Sequence, residues 1–364
     1  MTGHIQKRGP DTWLLMLELG RDVNGKRMRP SRTYHGKKRQ AEGALRDWLH
    51  EVENGGLVVD HTLTLGDWLT RWLRDYAPLR CGPSTMKRYT GIVEKHFPKS
   101  FIGYPLIKVN APLLQQLYGQ WQQQGLSVGT IRQHHAVLSQ AMNTALTVGV
   151  LNRNPLAGVV VPRLERETRK ALTTDEVNTL IANADDLTLP IQLAVATGMR
   201  RGELLALRWE DVDLKRAVLT VNGTLLEDRT RGVTKTAAGR RSITLPASTV
   251  TLLKEHRRGQ LKTKMSEKLW HQNDLVLCQS DGSPLSPNLL TAQFGRLCAK
   301  LGIEATFHSL RHYHATTLLE AGVHPKVVQE RMGHASIKET LDRYSHVSQS
   351  LQAEAAVKLE RALG

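Results

Sequence analysis

Four short segments towards the carboxyl end of the chain hold residue types that could act together on a phosphate ester. They are a Thr-Gly-Met-Arg-Arg-Gly-Glu run, a basic turn, a His-Ser-Leu-Arg run, and a Gly-His pair followed ten residues later by a tyrosine. Their chemically active members are Arg200, Glu203, Lys235, His308, Arg311, His334 and Tyr344. A guanidinium is planar, stays charged at neutral pH and can hold two phosphate oxygens at once. Fixed cations stabilise the extra negative charge of a pentacovalent transition state, so this set predicts phosphoryl transfer.

Each segment alone also fits an ordinary structural role. An Arg-x-x-Glu at a helix end is usually a surface ion pair, a lysine in a turn is usually solvated, and a single tyrosine is usually a half-buried core aromatic. The occurrence of all four segments in one order favours chemistry over those roles. Arg200, rather than its neighbour Arg201, is predicted to face the phosphate because of its spacing to Thr197, Gly198 and Glu203.

A metal site is the alternative interpretation of the histidines. His308 and His312 are four residues apart, a spacing that zinc can use, and His314 follows closely. However, no glutamate lies between them in a His-Glu-x-x-His arrangement, and Arg311 would repel a cation. We therefore expect neither a metal nor another cofactor, and we assign His312 and His314 to packing or to DNA-facing positions.

The four segments resemble the signature of the tyrosine recombinase (phage integrase) family. That signature has an arginine in a Thr-Gly-x-Arg-x-x-Glu box, a hairpin lysine, His-x-x-Arg, Gly-His and a nucleophilic tyrosine. The resemblance implies that Tyr344 attacks the scissile phosphate, forming a 3′-phosphotyrosine and freeing a 5′-hydroxyl. Because a phenol has a pKa of about 10, its proton must be moved at neutral pH, and His308 is the candidate for that role. Lys235 is the candidate for protonating the leaving 5′-oxygen.

The same resemblance implies roles for the remaining members of the set. Arg200, Arg311 and His334 would hold the non-bridging oxygens, and Glu203 would orient this cluster. Since the phosphotyrosine conserves the bond energy, religation to another strand needs neither ATP nor metal. The family usually acts as a tetramer on two duplexes, through a Holliday junction. The tail 350–364 could dock on a neighbouring subunit or be a frayed terminal helix.

The charge of the chain points to a polyanionic partner. Its 364 residues include 50 basic and 34 acidic side chains, which gives a net charge of +16. Such a surplus favours nucleic acid or an acidic membrane face. No run is long and apolar enough to span a membrane, and the amino terminus lacks the apolar stretch of a signal peptide. The three cysteines have no CxxC spacing and are typical of reduced thiols. We expect a cytoplasmic, nucleoid-associated protein of a bacterial or phage-host cell.

Periodicity and turn signals divide the chain into elements that must position these residues. Positions 12–19 and 27–35 are predicted strands, followed by a helix from 38 that ends at 54–56. Positions 63–155 are predicted to be all-helical, with helices at 65–76, 84–97, near 110–124 and from about 127. A proline-containing linker covers 155–171.

A capping box at Thr173 and Glu176 is predicted to open a new helix and a new domain. Strands are predicted at 217–221 and 242–245, and helices at 308–321, 325–332 and 336–344, with a last amphipathic piece after 350. The rest of this region is predicted to be helical. The expected fold is therefore multidomain and mainly α with small β: a small sheet plus one helix, a helical domain, and an α+β catalytic domain.

The resemblance assigns a function to each part of the chain. Residues 1–56 resemble an arm-type DNA-binding domain, 63–155 a core-site DNA-binding domain, and 170–364 the catalytic domain. The basic residues predicted to contact DNA are Arg27, Arg29, Arg32, Lys37, Lys38, Lys87, Arg88, Arg132, Arg240 and Arg241.

The predicted function is site-specific recombination that integrates or excises a mobile element. The predicted partners are double-stranded DNA at core-type and arm-type sites, a homotetramer of this chain, and DNA-bending or excision accessory proteins. Two alternatives remain: a non-enzymatic DNA-binding regulator, which explains the charge but not the ordered set, and a type IB topoisomerase, which shares the chemistry without strand exchange.

Overall fold

The chain forms two compact units in a computed structural model, Met1–Glu167 and Thr168–Gly364. The structure describes residues 2–20, 27–53, 62–164, 171–233, 239–334, 336–338, 359–361 and 363. Its elements are mainly helices with three small antiparallel sheets, as the sequence predicted. Among the described residues, no helix has both the length and the apolar character needed to cross a membrane.

The first unit begins with a three-stranded antiparallel sheet covered by one helix. The sheet has the order β1-β2-β3, and its elements are β1 (Thr2–Gly9), β2 (Thr12–Glu18), β3 (Ser31–His35) and the helix α1 (Lys38–Glu53). Leu15 and Leu17 of the central strand pack against Ala41, Leu45 and Trp48 of α1. The apolar stripe of the helix therefore covers the apolar face of the sheet.

The sequence interpretation missed β1 and began the last strand too early. β1 carries a single apolar side chain, Ile5, so it lacks the alternation that predicts a strand; it is held by pairing with β2 instead. β3 starts at Ser31, four residues after the predicted start, and directly follows Pro30, which cannot donate to a ladder.

The remainder of the first unit is a helical bundle. Its helices are α2 (Leu65–Asp75), α3 (Pro83–His96), α4 (Lys99–Ile102), α5 (Ala111–Gln123) and α6 (Val128–Thr147). Thr64, Asn110 and Ser127 each accept a hydrogen bond from the first turn of the helix that follows. The core is aromatic, and the indole of Trp68 donates to the carbonyl of Ala141 at 3.0 Å.

The second unit opens with helices around a buried central helix. They are α7 (Thr174–Ala182), the central α8 (Thr188–Thr197) and the short α9 (Arg201–Leu205). Thr173 and Glu176 form the predicted capping box at the start of α7. Ile191, Leu193 and Ala194 of α8 have no exposed surface. Such a helix, apolar on all sides, is typical of a domain centre.

In the part of the second unit that the structure describes, two small sheets and four more helices follow. The strands are β4 (Val212–Asp213), β5 (Val218–Val221), β6 (Gly223–Leu225), β7 (Arg231–Val233) and β8 (Arg241–Thr244), paired as β4-β5-β8 and β6-β7. The helices are α10 (Ala247–Ser266), α11 (Pro287–Leu301), α12 (Phe307–Glu320) and α13 (Pro325–Met332).

The prediction that the rest of this region is helical was wrong for residues 267–286. This stretch consists of turns and isolated bridges, including one between Cys278 and Pro284. Asp274 and Gly282 have positive φ angles of 51° and 79°, which a helix cannot contain. The predicted helices at 336–344 and after 350 lie, apart from a few positions, outside the described residues.

Candidate active site

Arg200 stands at the junction between α8 and α9. The central helix ends at Gly198 in the left-handed conformation, with φ at 64°, and this turn directs the chain into α9. The backbone N–H of Arg200 donates to Oε2 of Glu203 at 2.9 Å, and its Nη1 donates to Oε1 of the same carboxylate at 2.8 Å. The three-residue spacing seen in the sequence is thus a cap in which one carboxylate holds both the main chain and the side chain of Arg200.

The Glu203 carboxylate is buried and stays charged. Its side chain is 5% exposed and also accepts a hydrogen bond from Nη2 of Arg241 at 2.8 Å. Burial by itself raises the pKa of this carboxyl. The hydrogen bond and charge of Arg241, together with those of Arg200, outweigh that effect and hold the pKa below its ordinary value. The charged carboxylate of Glu203 is therefore a fixed partner of Arg200.

Arg311 lies on α12 with its guanidinium inside the domain. The residue is 2% exposed, and it donates to the carbonyls of Gly198 and Met332. His308, one turn earlier on the same helix, is exposed, and its ring contacts that of His312 at 4.6 Å between centroids. Arg311 is therefore tied to the same Gly198 turn that leads to Arg200.

The carboxyl end of α13 receives arginines from three directions. The three successive carbonyls of Arg331, Met332 and Gly333 accept hydrogen bonds from Arg241, Arg311 and Arg200, respectively. Helix carbonyls at this end have no partners within the helix, and the helix dipole favours cations there. His334 follows directly and is 2% exposed, so the site brings it into the same cluster as Arg200 and Arg311.

A cavity of about 690 Å³ opens beside this cluster. Arg200, Glu203 and His308 line it, and so does Gly239, which follows the turn that contains Lys235 in the sequence. The predicted nucleophile Tyr344 and Lys235 itself lie outside the described residues. Two arginines, Arg200 and Arg201, line this cavity together with the carboxylate of Glu203.

Arg201 has partners away from Arg200. Its guanidinium donates to Oε1 of Glu227 at 2.5 Å, to the hydroxyl of Thr291 at 2.6 Å and to the carbonyl of Pro287 at 3.1 Å. These contacts tie α9 to the start of α11. The geometry supports Arg200 as the arginine that faces the cluster.

His314 is packed inside the second unit. His314 is 6% exposed and its Nδ1 lies 2.7 Å from the carbonyl oxygen of Val195. Burial, with smaller contributions from nearby arginines, lowers its pKa to about 4, so the ring is neutral at physiological pH. Within the described ranges, no three His, Cys, Asp or Glu side chains gather as a metal site would require.

Most of the basic residues predicted to contact DNA are on the surface. Exposed positions of the first unit are Arg27, Arg29, Lys37, Lys38, Lys87, Arg88 and Arg132, and Arg240 is exposed in the second unit. Arg29 pairs with Glu18 at 2.5 Å, and the guanidinium of Arg32 lies 4.4 Å from the ring centroid of Trp48. Such cation–π stacking fixes a guanidinium while leaving its edge accessible.

For Arg241 the structure points away from the predicted contact with DNA. Its side chain is 6% exposed, and its donors reach Glu203, Arg331 and Gly239 within the domain. The sequence interpretation did not give Arg241 a role in the site, because an arginine in a basic turn carries no signal of burial. Arg331, whose side chain donates to the carbonyls of Thr244 and Ala196, was also missed, because its place in the sequence of α13 does not indicate these distant partners.

Two family models match the chain. One, described as the phage integrase family, covers residues 170–350, and the other, the phage integrase N-terminal SAM-like domain, covers residues 64–122. A "Tyrosine recombinase XerC-like" protein of Caldanaerobacter subterraneus is 30% identical over 94% of this chain and 94% of its own length. The ICEBs1 integrase of Bacillus subtilis is 26% identical over 77% of this chain and 78% of its own.

Solved structures with the same fold include two integrases in complex with DNA. The Tn1549 transposon integrase with transposon right-end DNA superposes with a TM-score of 0.69 at 22% identity, covering 83% of this chain and all of that one. A lambda integrase dimer bound to a core site superposes with a TM-score of 0.61 at 20% identity, covering 93% of this chain and 94% of that one. The likenesses extend over both units of the chain.

Proposed function

The chain belongs to the phage integrase family and is a site-specific recombinase of the tyrosine type, and from that premise we propose that it cuts and rejoins double-stranded DNA through a phosphotyrosine at Tyr344. The observation that carries the proposal is the convergence of Arg200, Arg311 and His334 at the end of α13, beside the cavity that His308 lines.

The proposed chemistry assigns one task to each side chain. Arg200 and Arg311 hold the non-bridging oxygens of the scissile phosphate, where charge increases in the transition state. The carboxylate of Glu203 orients the guanidinium of Arg200, and the carbonyl of Gly198 orients that of Arg311. His334 adds a third donor to the same oxygens.

Proton transfer falls to the residues at the cavity. His308 moves the phenolic proton of Tyr344, and Lys235 protonates the leaving 5′-oxygen, because an alkoxide is a poor leaving group. Glu203 keeps Arg200 oriented from behind. The resulting 3′-phosphotyrosine retains the energy of the phosphodiester, so a second 5′-hydroxyl can reverse the reaction without ATP, metal or cofactor.

The rest of the chain is proposed to bind and align the DNA. We assign 1–56 to arm-type sites, 63–155 to core-type sites and 170–364 to catalysis. The exposed basic residues of the first unit support this assignment, because phosphate contacts from Lys and Arg supply most of the affinity for a duplex. A homotetramer on two duplexes, with accessory DNA-bending or excision proteins, would complete the exchange through a Holliday junction.

The proposal predicts a covalent adduct that depends on Tyr344. Nicked duplexes tiled across the DNA on either side of the coding sequence should trap the protein as a protease-sensitive DNA adduct. Tyr344→Phe should bind the trapping duplex normally and form no adduct, because a phenyl ring has no nucleophilic oxygen. The measurement is gel separation of labelled DNA with and without protease.

Tyr313→Phe is the matched control. The ring of this α12 tyrosine packs against the core of the second unit, and its hydroxyl lies 3.2 Å from that of Thr174. This variant should form adduct at the wild-type yield. Adduct from Tyr344→Phe would contradict the proposal by showing that another residue is the nucleophile. The absence of adduct from wild-type protein on any duplex that it binds would also contradict it and would favour a DNA-binding regulator.

A further inference from the structure

The guanidinium of Arg241 joins three segments of the catalytic unit from inside. Its Nη2 donates to Oε2 of Glu203 at 2.8 Å, its Nε to the carbonyl of Arg331 at 2.5 Å, and its Nη1 to the carbonyl of Gly239 at 3.1 Å. These acceptors belong to α9, to the end of α13 and to the turn before β8. One side chain therefore connects the segments that carry Arg200, His334 and, in sequence, Lys235.

The link from Arg241 to Arg200 passes through a single carboxylate. Oε2 of Glu203 accepts from both Arg241 and the backbone N–H of Arg200, while Oε1 accepts from the Arg200 guanidinium. If Arg241 were absent, one oxygen of a buried carboxylate would lose a charged donor. The carboxylate could then rotate or take up a proton, and either change would release the Arg200 side chain from its orientation.

Arg241 also holds the carboxyl end of α13 through a hydrogen bond. The Arg241 contact falls on the first of the three carbonyls at the end of this helix, and the other two accept from Arg311 and Arg200. Those two arginines are proposed to bind the phosphate, so their hydrogen bonds to α13 compete with the substrate. Arg241 is buried and is not one of the residues proposed to bind the phosphate, so its hydrogen bond to the helix end does not compete with the substrate.

We propose that Arg241 is a positioning residue that fixes Arg200, through Glu203, and the carboxyl end of α13 in the arrangement that cleavage requires. This inference rests on the proposed function, since it concerns the rate of the same cleavage step. It differs from the DNA contact predicted from the sequence, because a positioning residue affects the rate of cleavage and leaves DNA affinity unchanged.

The test measures binding and single-turnover cleavage of a nicked duplex by matched variants. Arg241→Met keeps the length of the side chain and removes its charge, and we expect the affinity for DNA to stay within about twofold while cleavage slows by roughly 10²-fold, the size of a small misplacement of a catalytic group. Arg241→Lys should recover part of the rate, because it keeps a cation near Glu203. Arg216→Gln, whose side chain is 86% exposed, should cleave as the wild type does.

A double variant shows whether Arg241 acts through Glu203. If it does, the slowing of cleavage in Arg241→Met combined with Glu203→Gln should be smaller than the product of the two single slowings, since both changes break one link. Multiplied effects would overturn the proposal, and so would a loss of DNA affinity equal to the loss of rate, which would restore the DNA contact.

The design separates this inference from the proposed function. Failure of wild-type protein and Arg216→Gln to form any adduct counts against the proposed function. Normal adduct formation by wild-type protein and by the Arg241 variants counts against the positioning role alone. If Arg241→Met does not fold, as judged by circular dichroism, the folded Arg241→Lys variant decides: slower cleavage with retained affinity supports the proposal, and an unchanged rate overturns it.

Discussion

Arg200 and Arg201 are neighbours in the sequence whose guanidinium groups have different partners. Arg200 points to Glu203 and to the carbonyl of Gly333, whereas Arg201 points to Glu227 and Thr291. Only the first of them can exchange a protein carbonyl for a phosphate oxygen at the end of α13. The spacing in the sequence favours Arg200 over Arg201, and these contacts support the same choice.

Substitution of each arginine by glutamine separates their roles. Arg200→Gln should lower the rate of covalent cleavage by about 10²- to 10³-fold, the usual cost of removing one donor to a transition-state oxyanion. Arg201→Gln should lower it by less than about tenfold, because it removes a tie between α9 and α11. Single-turnover cleavage of the nicked duplex measures both, and the reverse order of the two effects would contradict the assignment.

The types and spacing of side chains could predict the Arg200–Glu203 pair but not the second partner of the carboxylate. An i, i+3 spacing is a local relation that the chain carries in its sequence. Arg241 lies 38 positions beyond Glu203, in a run of basic residues that reads as a solvated turn. Its burial depends on how β8 packs against α13, and tertiary packing leaves no mark in a local pattern.

At the scale of elements, the turn at Gly198 connects the central helix to the site. A Cβ at this position would lie 2.5 Å from the ring of His314 and 3.0 Å from the sulfur of Met332, and its carbonyl accepts from Arg311. Only glycine combines the left-handed φ of 64° with so close an approach. The close packing of α12 against the end of α8 therefore requires glycine at position 198.

Two glycine variants separate the conformational cost from the steric one. Gly302 ends α11 with a φ of 67° and has open space where a Cβ would stand. Gly302→Ala should lower the free energy of unfolding by about 1–2 kcal/mol, the cost of a left-handed alanine. Gly198→Ala should lower it by about 1–3 kcal/mol more, since the new methyl group overpacks the core.

Urea unfolding measures the stability difference, and the nicked-duplex assay measures its effect on the site. Gly198→Ala should also slow cleavage, because the Gly198 carbonyl that holds Arg311 must shift, whereas Gly302→Ala should not. Equal losses of stability for the two variants would contradict the steric cost, because they would show that α8 and α12 can move apart to accommodate the new methyl group.

Helices were predictable wherever a cap and an amphipathic stripe coincided. Thr64, Ser127 and Thr173 all cap helices within a residue or two of the predicted starts. The hairpin of β6 and β7 was not predictable, because strands of three residues are too short to display an alternating pattern. These strands form because β6 packs against α9, which is a tertiary cause.

At the scale of the whole molecule, each of the two units buries a neutral histidine. In the first unit, His134 is 2% exposed and its ring lies between those of His96 and Trp121, at 4.5 and 4.8 Å between centroids. Burial, and then the charge of His96, lowers the pKa of His134 to about 4. His314 of the second unit has a pKa of about 4 as well.

We expect these two histidines to make the protein less stable in mild acid. Between about pH 6.5 and about pH 4 the unfolded chain binds protons at both positions and the folded chain does not, so the free energy of unfolding falls as the pH is lowered. Each histidine contributes a slope of at most about 1.4 kcal/mol per pH unit. His134→Phe keeps an aromatic ring but cannot bind a proton, and it should flatten this dependence.

Urea unfolding at pH 7, 6 and 5, followed by tryptophan fluorescence, provides the measurement. The signal comes mainly from the first unit, which holds five of the seven tryptophans, Trp13, Trp48, Trp68, Trp72 and Trp121. His4→Gln, at an exposed position of β1, serves as the control and should keep the wild-type slope. An unchanged slope in His134→Phe would show that this histidine binds protons as readily in the folded protein as in the unfolded chain.

The three arginines that meet the end of α13 all recognise peptide carbonyls. Every amino acid has a peptide carbonyl, so these contacts depend on the path of the main chain and not on the side chains of the accepting residues. These carbonyl contacts by themselves place no constraint on the identity of the receiving residues, as long as the path of the main chain is kept. Each of the three donors, by contrast, is an arginine, and no other side chain has a planar guanidinium of the same length. Relatives should therefore keep these three arginines more strictly than the residues whose carbonyls accept from them.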